Sequence, residues 1–114
     1  MIDDDILRDS SEKASILLKA LANQDRLQIL CNLVEDEKCV GDLEDLLGIR
    51  QPTLSQQLAR LRSDNLVTTR REGKVIFYKL ASSDAGRVIE LLYELYCEPA
   101  IAKQDEVGKR RAIG

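Results

Sequence analysis

The stretch DLEDLLGIRQPTLSQQL, residues 42–58, holds two short helical patterns that a tight turn separates. Gly48 ends the first pattern, because glycine readily takes the left-handed conformation found after a helix. Pro52 opens the second pattern, where the first turn of a helix tolerates proline. Apolar residues repeat at helical spacing in both: Val40, Leu43, Leu46 and Leu47, then Leu54, Leu58 and Leu61, up to about Asn65. Two helices joined in this way, the second with a polar outer face, are typical of a helix-turn-helix.

The outer face of the second helix carries polar side chains that could read DNA. Glutamine can pair with adenine through two hydrogen bonds, and serine or threonine can bond to bases or phosphates. Arg60 and Arg62 lie further along, where they would meet phosphates or the protein's own acids. The predicted DNA-binding residues of this helix are Gln51, Thr53, Ser55, Gln56, Gln57 and Arg60. Taken alone, these residues also fit an exposed helix that polar side chains keep soluble.

A predicted β-hairpin follows directly. Residues 67–71 and 74–80 are rich in β-forming side chains and flank the pair Glu72-Gly73, which suits a tight hairpin turn. Three basic residues crowd this turn: Arg70, Arg71 and Lys74. A hairpin with a basic tip after a recognition helix is a wing, whose side chains would reach the DNA backbone or the adjacent minor groove.

Charge is distributed unevenly along the chain. The net charge is −3, which by itself disfavours a nucleic-acid partner. Residues 1–49 carry 5 basic and 12 acidic side chains, a balance of −7, whereas residues 50–80 carry 7 and 2, a balance of +5. Residues 81–114 carry 5 basic and 6 acidic side chains, a balance of −1. A local basic surface attracts phosphates while distant acids are largely screened, so residues 50–80 carry the predicted DNA surface.

Helical patterns flank this central segment on both sides. The first two span about residues 6–22 and 24–35, and a charged loop at residues 35–38 follows them. The last helix begins after a capping stretch at residues 82–84, and Pro99 limits it. Its wide apolar stripe consists of Val88, Leu91, Leu92, Leu95 and Tyr96.

The fold class is therefore mainly α with a small β-hairpin, a winged helix-turn-helix in the order α-α-α-α-β-β-α. We place one domain at residues 1–102 and a charged, mobile tail at residues 103–114. No apolar run could cross a bilayer and the acidic start at residues 3–5 is unlike a signal peptide, so we expect a cytoplasmic protein. The chain lacks histidine, a glycine-rich phosphate loop and evident paired carboxylates, which argues against an enzyme such as a small sulfurtransferase. We expect no cofactor.

Residues 42–58 resemble the helix-turn-helix of the ArsR family of bacterial repressors. The stretch KALANQDRL at 19–27 and the wing RREGK at 70–74 share this resemblance, which covers roughly residues 14–97. It implies a repressor that binds double-stranded operator DNA as a homodimer formed through its first and last helices. The apolar stripe of the last helix agrees, since a monomer of this size would struggle to bury it. A module that kept the fold but lost DNA binding is a rival interpretation, and the basic wing argues against it.

The cysteines indicate which inducer the repressor would respond to, and two interpretations are possible. The first, which is the alternative, is a metal-responsive repressor. Many family members bind thiophilic metals through two cysteines near the start of the third helix. Here Cys39 matches one of these positions and Gly41 stands at the other. The absence of histidine removes the other common ligand of such sites. We predict no metal site and assign Cys39 no role, while a repressor that binds metal through cysteine thiolates remains the alternative.

The second interpretation rests on Cys31 and Cys97, whose positions match the persulfide- and sulfide-responsive, BigR/SqrR-like branch of the family. The resemblance implies that one thiolate takes the outer sulfur of a persulfide and that the second cysteine resolves it into a polysulfide link. This link would change the helix spacing, release the operator and derepress sulfide-detoxification genes. On the residues alone, Cys31 also lies on the apolar face of its helix, where cysteine is usually a small buried hydrophobe.

Overall fold

The computed structural model describes the backbone of residues 2–113 and the side chains of residues 2–106. The structure is mainly helical, and a β-hairpin follows the fourth helix. The elements are α1 (Asp4–Leu21), α2 (Gln24–Leu33), β1 (Lys38–Cys39), α3 (Val40–Leu47), α4 (Gln51–Ser63), β2 (Val67–Glu72), β3 (Val75–Leu80), α5 (Ser83–Leu92), a π-helical turn (Tyr93–Cys97) and α6 (Glu98–Ile113). The predicted winged helix-turn-helix is confirmed.

Side-chain caps and one glycine set the helix ends around the helix-turn-helix. The Asn23 side chain accepts a hydrogen bond from the Arg26 amide at 3.0 Å, and the Ser82 hydroxyl accepts one at 3.1 Å from the first turn of α5. These bonds satisfy amides that have no partner within their own helix. Gly48 ends α3 with a φ of +67°, and its amide donates to the Glu44 carbonyl at 2.9 Å. Glycine takes this left-handed conformation without a Cβ clash, so the turn into α4 forms where it was predicted.

The core is built mainly of leucine and isoleucine side chains from α2, α3 and α4, and buried residues of α1, β2 and α5 complete it. The largest fully buried ones are Ile29, Leu30, Leu33, Leu43, Leu54, Leu58 and Leu61. They lie on one face of each helix, so that burying these faces together packs α2 against the helix-turn-helix. Cutting one of them back to alanine would cost about 2–5 kcal/mol of folding free energy. This packing holds α4 at the surface of the domain in a defined orientation.

A three-stranded antiparallel sheet carries the wing, in the order β1-β3-β2. β2 and β3 pair along their full length, which confirms the predicted hairpin. β1 adds Lys38 and Cys39, which lie opposite Tyr78 and Phe77 of β3. The prediction of a loop at residues 35–38 was wrong for Lys38. A strand of two residues shows no periodicity in sequence, and a partner far along the chain decides its pairing.

The last helix continues past Pro99, which was expected to limit it. α5 leads through the π-helical turn into α6, and the Glu98 amide bonds to the Tyr93 carbonyl five residues back. Proline lacks an N–H, and in an unbroken α-helix its ring clashes with the carbonyl four residues back. The π turn interrupts the α-helical register just before Pro99, which then falls in the first turn of α6.

The tail predicted at residues 103–114 continues α6 as far as Ile113. The domain boundary placed before residue 103 and the mobility of the tail both stay predictions. The side chains of residues 107–114 lie outside the described residues. Over the part of the chain that the structure describes, no helix has both the length and the apolar character to cross a membrane.

Candidate functional site

The recognition helix α4 exposes most of the predicted DNA-binding side chains. Leu54, Leu58 and Leu61 point into the core and are fully buried. Arg60 forms an ion pair with Asp64 one turn later, with Nε and Oδ2 2.8 Å apart. The exposed candidates are Gln51, Thr53, Ser55, Gln56 and Arg60. An α-helix fits the major groove of B-DNA, so these polar side chains are accessible to base edges and phosphates.

Gln57 is placed differently from its neighbours. It is half-buried, and its Oε1 accepts a hydrogen bond from Nη1 of Arg26 at 3.1 Å. Arg26 also donates from Nε to the Ala20 carbonyl at 2.6 Å and from Nη2 to the Lys19 carbonyl at 3.2 Å. One buried guanidinium therefore joins the end of α1, the start of α2 and the recognition helix.

Sequence reasoning missed the role of Arg26. The signal was its spacing, because Arg26 occupies the first position of the buried stripe that continues through Ile29, Leu30 and Leu33. An arginine at such a position needs hydrogen-bond acceptors, since a buried charge without them is costly. The acceptors lie on α1 and α4, and the pattern of α2 alone does not reveal them.

The tip of the wing exposes two of its three predicted basic side chains without an ion pair. Gly73 takes a φ of +62° between β2 and β3 and closes the turn. Arg71 and Lys74 are exposed beside it, and Nε of Arg71 donates to the Gly73 carbonyl at 3.2 Å. Neither side chain forms a salt bridge within the described residues. Both can therefore approach DNA phosphates directly.

Arg70, the third of these, is held by acids of the protein itself. Its Nε donates to both carboxylate oxygens of Glu37 at 2.8 Å, and its Nη1 donates to Glu72 at 2.9 Å. The guanidinium also lies over the Phe77 ring, 4.4 Å from the ring centroid. The hydrogen bond from Arg70 holds the pKa of Glu37 below its usual range. A phosphate contact by Arg70 would have to replace these bonds.

Cys31 and Cys97, paired in the sequence analysis, lie on two elements that line a common cavity, the end of α2 and the π-helical turn of the last helix. Cys31 stands two residues before the end of α2, and Cys97 ends the π-helical turn of the last helix. Both are free thiols at exposed positions. Partial burial raises the pKa of Cys31, and the nearby charge of Cys97 raises it further.

The interpretation of Cys31 as a buried hydrophobe was wrong for the single chain. The buried stripe of α2 runs through Ile29, Leu30 and Leu33, which leaves Cys31 and Val34 facing outward. The outward position of Cys31 makes its thiol accessible to a small reagent, whereas a fully packed thiol is not accessible.

An open cavity of about 490 Å³ lies between the end of α2 and the last helix, with Cys31 in its wall. Val34, Ile89 and Tyr93 supply its apolar surface. The remaining lining residues are Glu35, Glu90, Glu94 and Glu98. A cavity of this size accommodates a low-molecular-weight compound.

Cys39 lies away from this cavity, at the junction of β1 and α3. It is half-buried, and its amide donates to the Asp42 carboxylate at 3.5 Å. Across the residues whose side chains are described, no group of three or more His, Cys, Asp or Glu side chains is arranged to hold a metal ion.

A recognition helix, a wing with exposed basic residues and a helix-turn-helix core define a winged helix-turn-helix DNA-binding regulator. Residues 23–69 match the family of bacterial regulatory proteins described as the arsR family. The chain belongs to this family, as its identity to full-length relatives also shows.

The relatives are transcriptional regulators and not enzymes, and the same holds for this protein. Transcriptional activator HlyU of Vibrio cholerae is 52% identical over 89 residues, which span 78% of this chain and 82% of HlyU. The biofilm growth-associated repressor of Agrobacterium fabrum is 54% identical over 87 residues, 76% of this chain and 74% of the relative. The solved transcriptional repressor BigR from Xylella fastidiosa superimposes with a TM-score of 0.78 at 42% identity, covering 84% of this chain and 98% of BigR. The resemblance to the BigR-like branch is thereby confirmed.

Proposed function

We propose that this protein is a homodimeric transcriptional repressor that releases its operator when persulfide modifies Cys31 and Cys97. The observation that carries the proposal is the placement of these exposed thiols: Cys31 lines the cavity from α2, and Cys97 ends the π-helical turn whose Tyr93 and Glu94 line it from the last helix. The cavity at Cys31 supports it, because a small persulfide can enter there. Under this proposal the derepressed genes detoxify sulfide and persulfide.

The chemistry needs only the two thiols and the persulfide RSSH. The thiolate of one cysteine attacks the outer sulfur of RSSH, so that a protein persulfide forms, the S–S bond of the reagent breaks and the thiol RSH leaves. The thiolate of the second cysteine then attacks the sulfur bound to the first, which forms a disulfide and releases hydrosulfide. If both cysteines are persulfidated first, the same displacement leaves one extra sulfur in the link. In either case the cysteines lose two electrons and the persulfide accepts them.

A link between Cys31 and Cys97 would pull α2 toward the last helix. α2 supports the recognition helix through the shared core and through the hydrogen bond from Arg26 to Gln57. A shift of α2 therefore changes the orientation of α4. In a dimer on DNA the two recognition helices must lie about one helical turn of DNA apart, so a small shift in each protomer weakens binding.

The proposal of a homodimer rests on apolar side chains that the single chain leaves exposed. On α1, Ile16 and Leu18 are each 58% exposed, and on the last helix Leu95 is 54% and Tyr96 is 71% exposed. The radius of gyration is 17.6 Å, against about 13 Å for a compact chain of about 100 residues, because the terminal helices extend away from the core. A second copy that packs its own first and last helices against these faces would bury them in a symmetric interface.

The DNA surface proposed for the complex combines both elements of the site. Gln51, Thr53, Ser55 and Gln56 of α4 enter the major groove, while Arg71 and Lys74 of the wing contact phosphates. Arg60, Arg70 and Gln57 have partners inside the protein, so their contribution to DNA contact involves an exchange of those partners.

Fluorescence anisotropy tests the proposal directly. The reduced protein is titrated onto DNA from upstream of its own gene, before and after treatment with glutathione persulfide, and intact mass reports the link. We expect the treated protein to release DNA, and Cys31→Ser and Cys97→Ser each to keep DNA binding and lose the response. Cys39→Ser is the matched control and should respond like the wild type. If the treated wild type keeps its affinity, the sensor assignment is wrong, and the same titration with thiophilic metals tests the metal-responsive alternative.

A further inference from the structure

An ion pair joins the segment that follows α2 to the wing. Arg70 of β2 places its Nε 2.8 Å from both carboxylate oxygens of Glu37, and Nη2 donates to the same carboxylate. Glu37 lies four residues beyond Leu33, the last residue of α2. The two partners are 33 residues apart in sequence, so the contact exists only in the folded chain.

Most surface ion pairs contribute little to folding stability, because two long side chains must be held in one geometry in water. This pair differs in three respects. The guanidinium meets the carboxylate through two nitrogen atoms, which is the stronger arrangement. The Phe77 ring lies 4.4 Å below the guanidinium and restricts its motion. The Glu37 side chain is only 27% exposed, and Lys79 adds a second favourable charge near it.

The same segment is also tied to α2 and to the sheet. Nζ of Lys38 donates to the Asn32 carbonyl in the last turn of α2 at 2.9 Å. Lys38 itself pairs with Tyr78 of β3. Cys31 lies in that last turn of α2, next to Asn32, so a short and well-bonded path leads from the sensor thiol to the wing.

We propose that Glu37 is a positioning residue that couples modification at Cys31 to the wing through Arg70. This inference rests on the proposed function of the cysteine pair. A link that pulls the end of α2 toward the last helix moves the segment that carries Glu37. Arg70 follows its carboxylate, and the wing moves away from the position in which it contacts DNA. The coupling therefore has a physical connection between two elements that move together.

Glu37→Gln tests the coupling, with Glu72→Gln as the matched control. Each change removes one carboxylate that Arg70 binds, but Glu72 belongs to β2 and makes no connection to α2. Anisotropy measures the dissociation constant for operator DNA with the reduced and with the persulfide-treated protein. The constant of the treated protein divided by that of the reduced protein gives the coupling. Intact mass and circular dichroism confirm that each variant is folded and carries the same link.

We expect Glu37→Gln to lower this ratio by a factor of about 2–30, while Glu72→Gln keeps the ratio of the wild type within about twofold. A Glu37→Gln protein with the link and an unchanged ratio overturns the inference and leaves the proposed function standing. Equal losses in both variants also overturn it, because the effect would then come from the charge around Arg70 and not from the connection to α2. A wild type that forms the link and keeps its DNA overturns the proposed function and the inference together.

Discussion

Nη1 of Arg26 donates a hydrogen bond to Oε1 of Gln57 at 3.1 Å, and this contact joins α2 to the recognition helix α4. Arg26 is only 9% exposed and has no carboxylate partner among the described residues. Three neutral oxygens accept hydrogen bonds from it: Oε1 of Gln57 and the carbonyl oxygens of Lys19 and Ala20. The charge is thus satisfied only while α1, α2 and α4 keep their relative positions.

Arg26→Met should destabilise the fold. Methionine keeps much of the volume but leaves one buried and two partly buried acceptors without this donor, so we expect the free energy of unfolding to fall by about 2–4 kcal/mol. Urea denaturation followed by circular dichroism measures it. Arg8→Met, at an exposed position of α1, is the control and should change stability by less than about 0.5 kcal/mol. Equal midpoints for the two variants would show that the Arg26 contacts do not stabilise the fold.

Gln56→Ala and Gln57→Ala should have different effects although the residues are adjacent. Gln56 is exposed on α4, so its loss should weaken operator binding by about 1–3 kcal/mol and leave stability unchanged. Gln57 accepts the bond from Arg26, so its loss should lower stability by about 1–3 kcal/mol. Operator titrations and thermal unfolding of both variants give the comparison. If Gln56→Ala binds the operator like the wild type, Gln56 does not read bases.

Lys74→Ala should weaken DNA binding without regard to DNA sequence. The exposed side chain at the wing tip is positioned for a phosphate, so removing it should reduce the slope of log affinity against log salt by about 1. Lys13→Ala is the control, because Lys13 pairs with Asp9 on α1 at 3.1 Å, outside the helix-turn-helix. Anisotropy titrations over a series of salt concentrations measure both slopes. Identical slopes for Lys74→Ala and the wild type would remove Lys74 from the DNA surface.

Leu95→Glu should convert the dimer into a monomer. Leu95 is 54% exposed on the last helix, and a carboxylate buried in the proposed interface would be strongly unfavourable. Leu46→Glu changes a leucine of similar exposure, 59%, on α3 and should leave the dimer intact. Sedimentation velocity distinguishes the two states. A Leu95→Glu protein that sediments as a dimer would place the interface elsewhere.

The rate at which Cys31 is alkylated should rise only at high pH. Partial burial and the charge of Cys97 raise its pKa above the ordinary value of 9.0, so the thiol is protonated at neutral pH. The rate of reaction with iodoacetamide, followed at Cys31 by mass spectrometry, should therefore still be increasing at pH 9. In Cys97→Ser the second cause is absent, and the profile should move toward lower pH. A rate that levels off well below pH 9 would contradict both causes.

The local elements were predictable because neighbouring residues determine them. Leucine spacing, the capping stretch at residues 82–84 and Gly48 place the helices to within a few residues. The hairpin around Gly73 follows from two β-forming runs and a turn residue. Pro99 misled the prediction, because its usual effect is to end a helix and a π turn accommodated it here.

The candidate site was predictable in part. The exposed polar residues of α4 and the basic residues of the wing were found from their spacing. The bonds that Gln57 and Arg70 form inside the protein were not found in this way. Their partners, Arg26 and Glu37, lie 31 and 33 residues away in sequence. No periodicity relates residues at such distances, since only the packing of separate elements brings them together.

The sequence by itself determined the winged helix-turn-helix and the basic segment predicted to carry the DNA surface, while its resemblance to the ArsR family implied the pairing of Cys31 with Cys97. Periodicity, capping and charge act over a few residues, so they can be read along the chain. Only the tertiary structure decided that Cys31 faces outward toward a cavity, that Arg26 supports the recognition helix and that Glu37 holds Arg70 of the wing. These relationships depend on how helices and strands pack, because a buried charge or a bidentate ion pair requires partners from elements far apart in the chain.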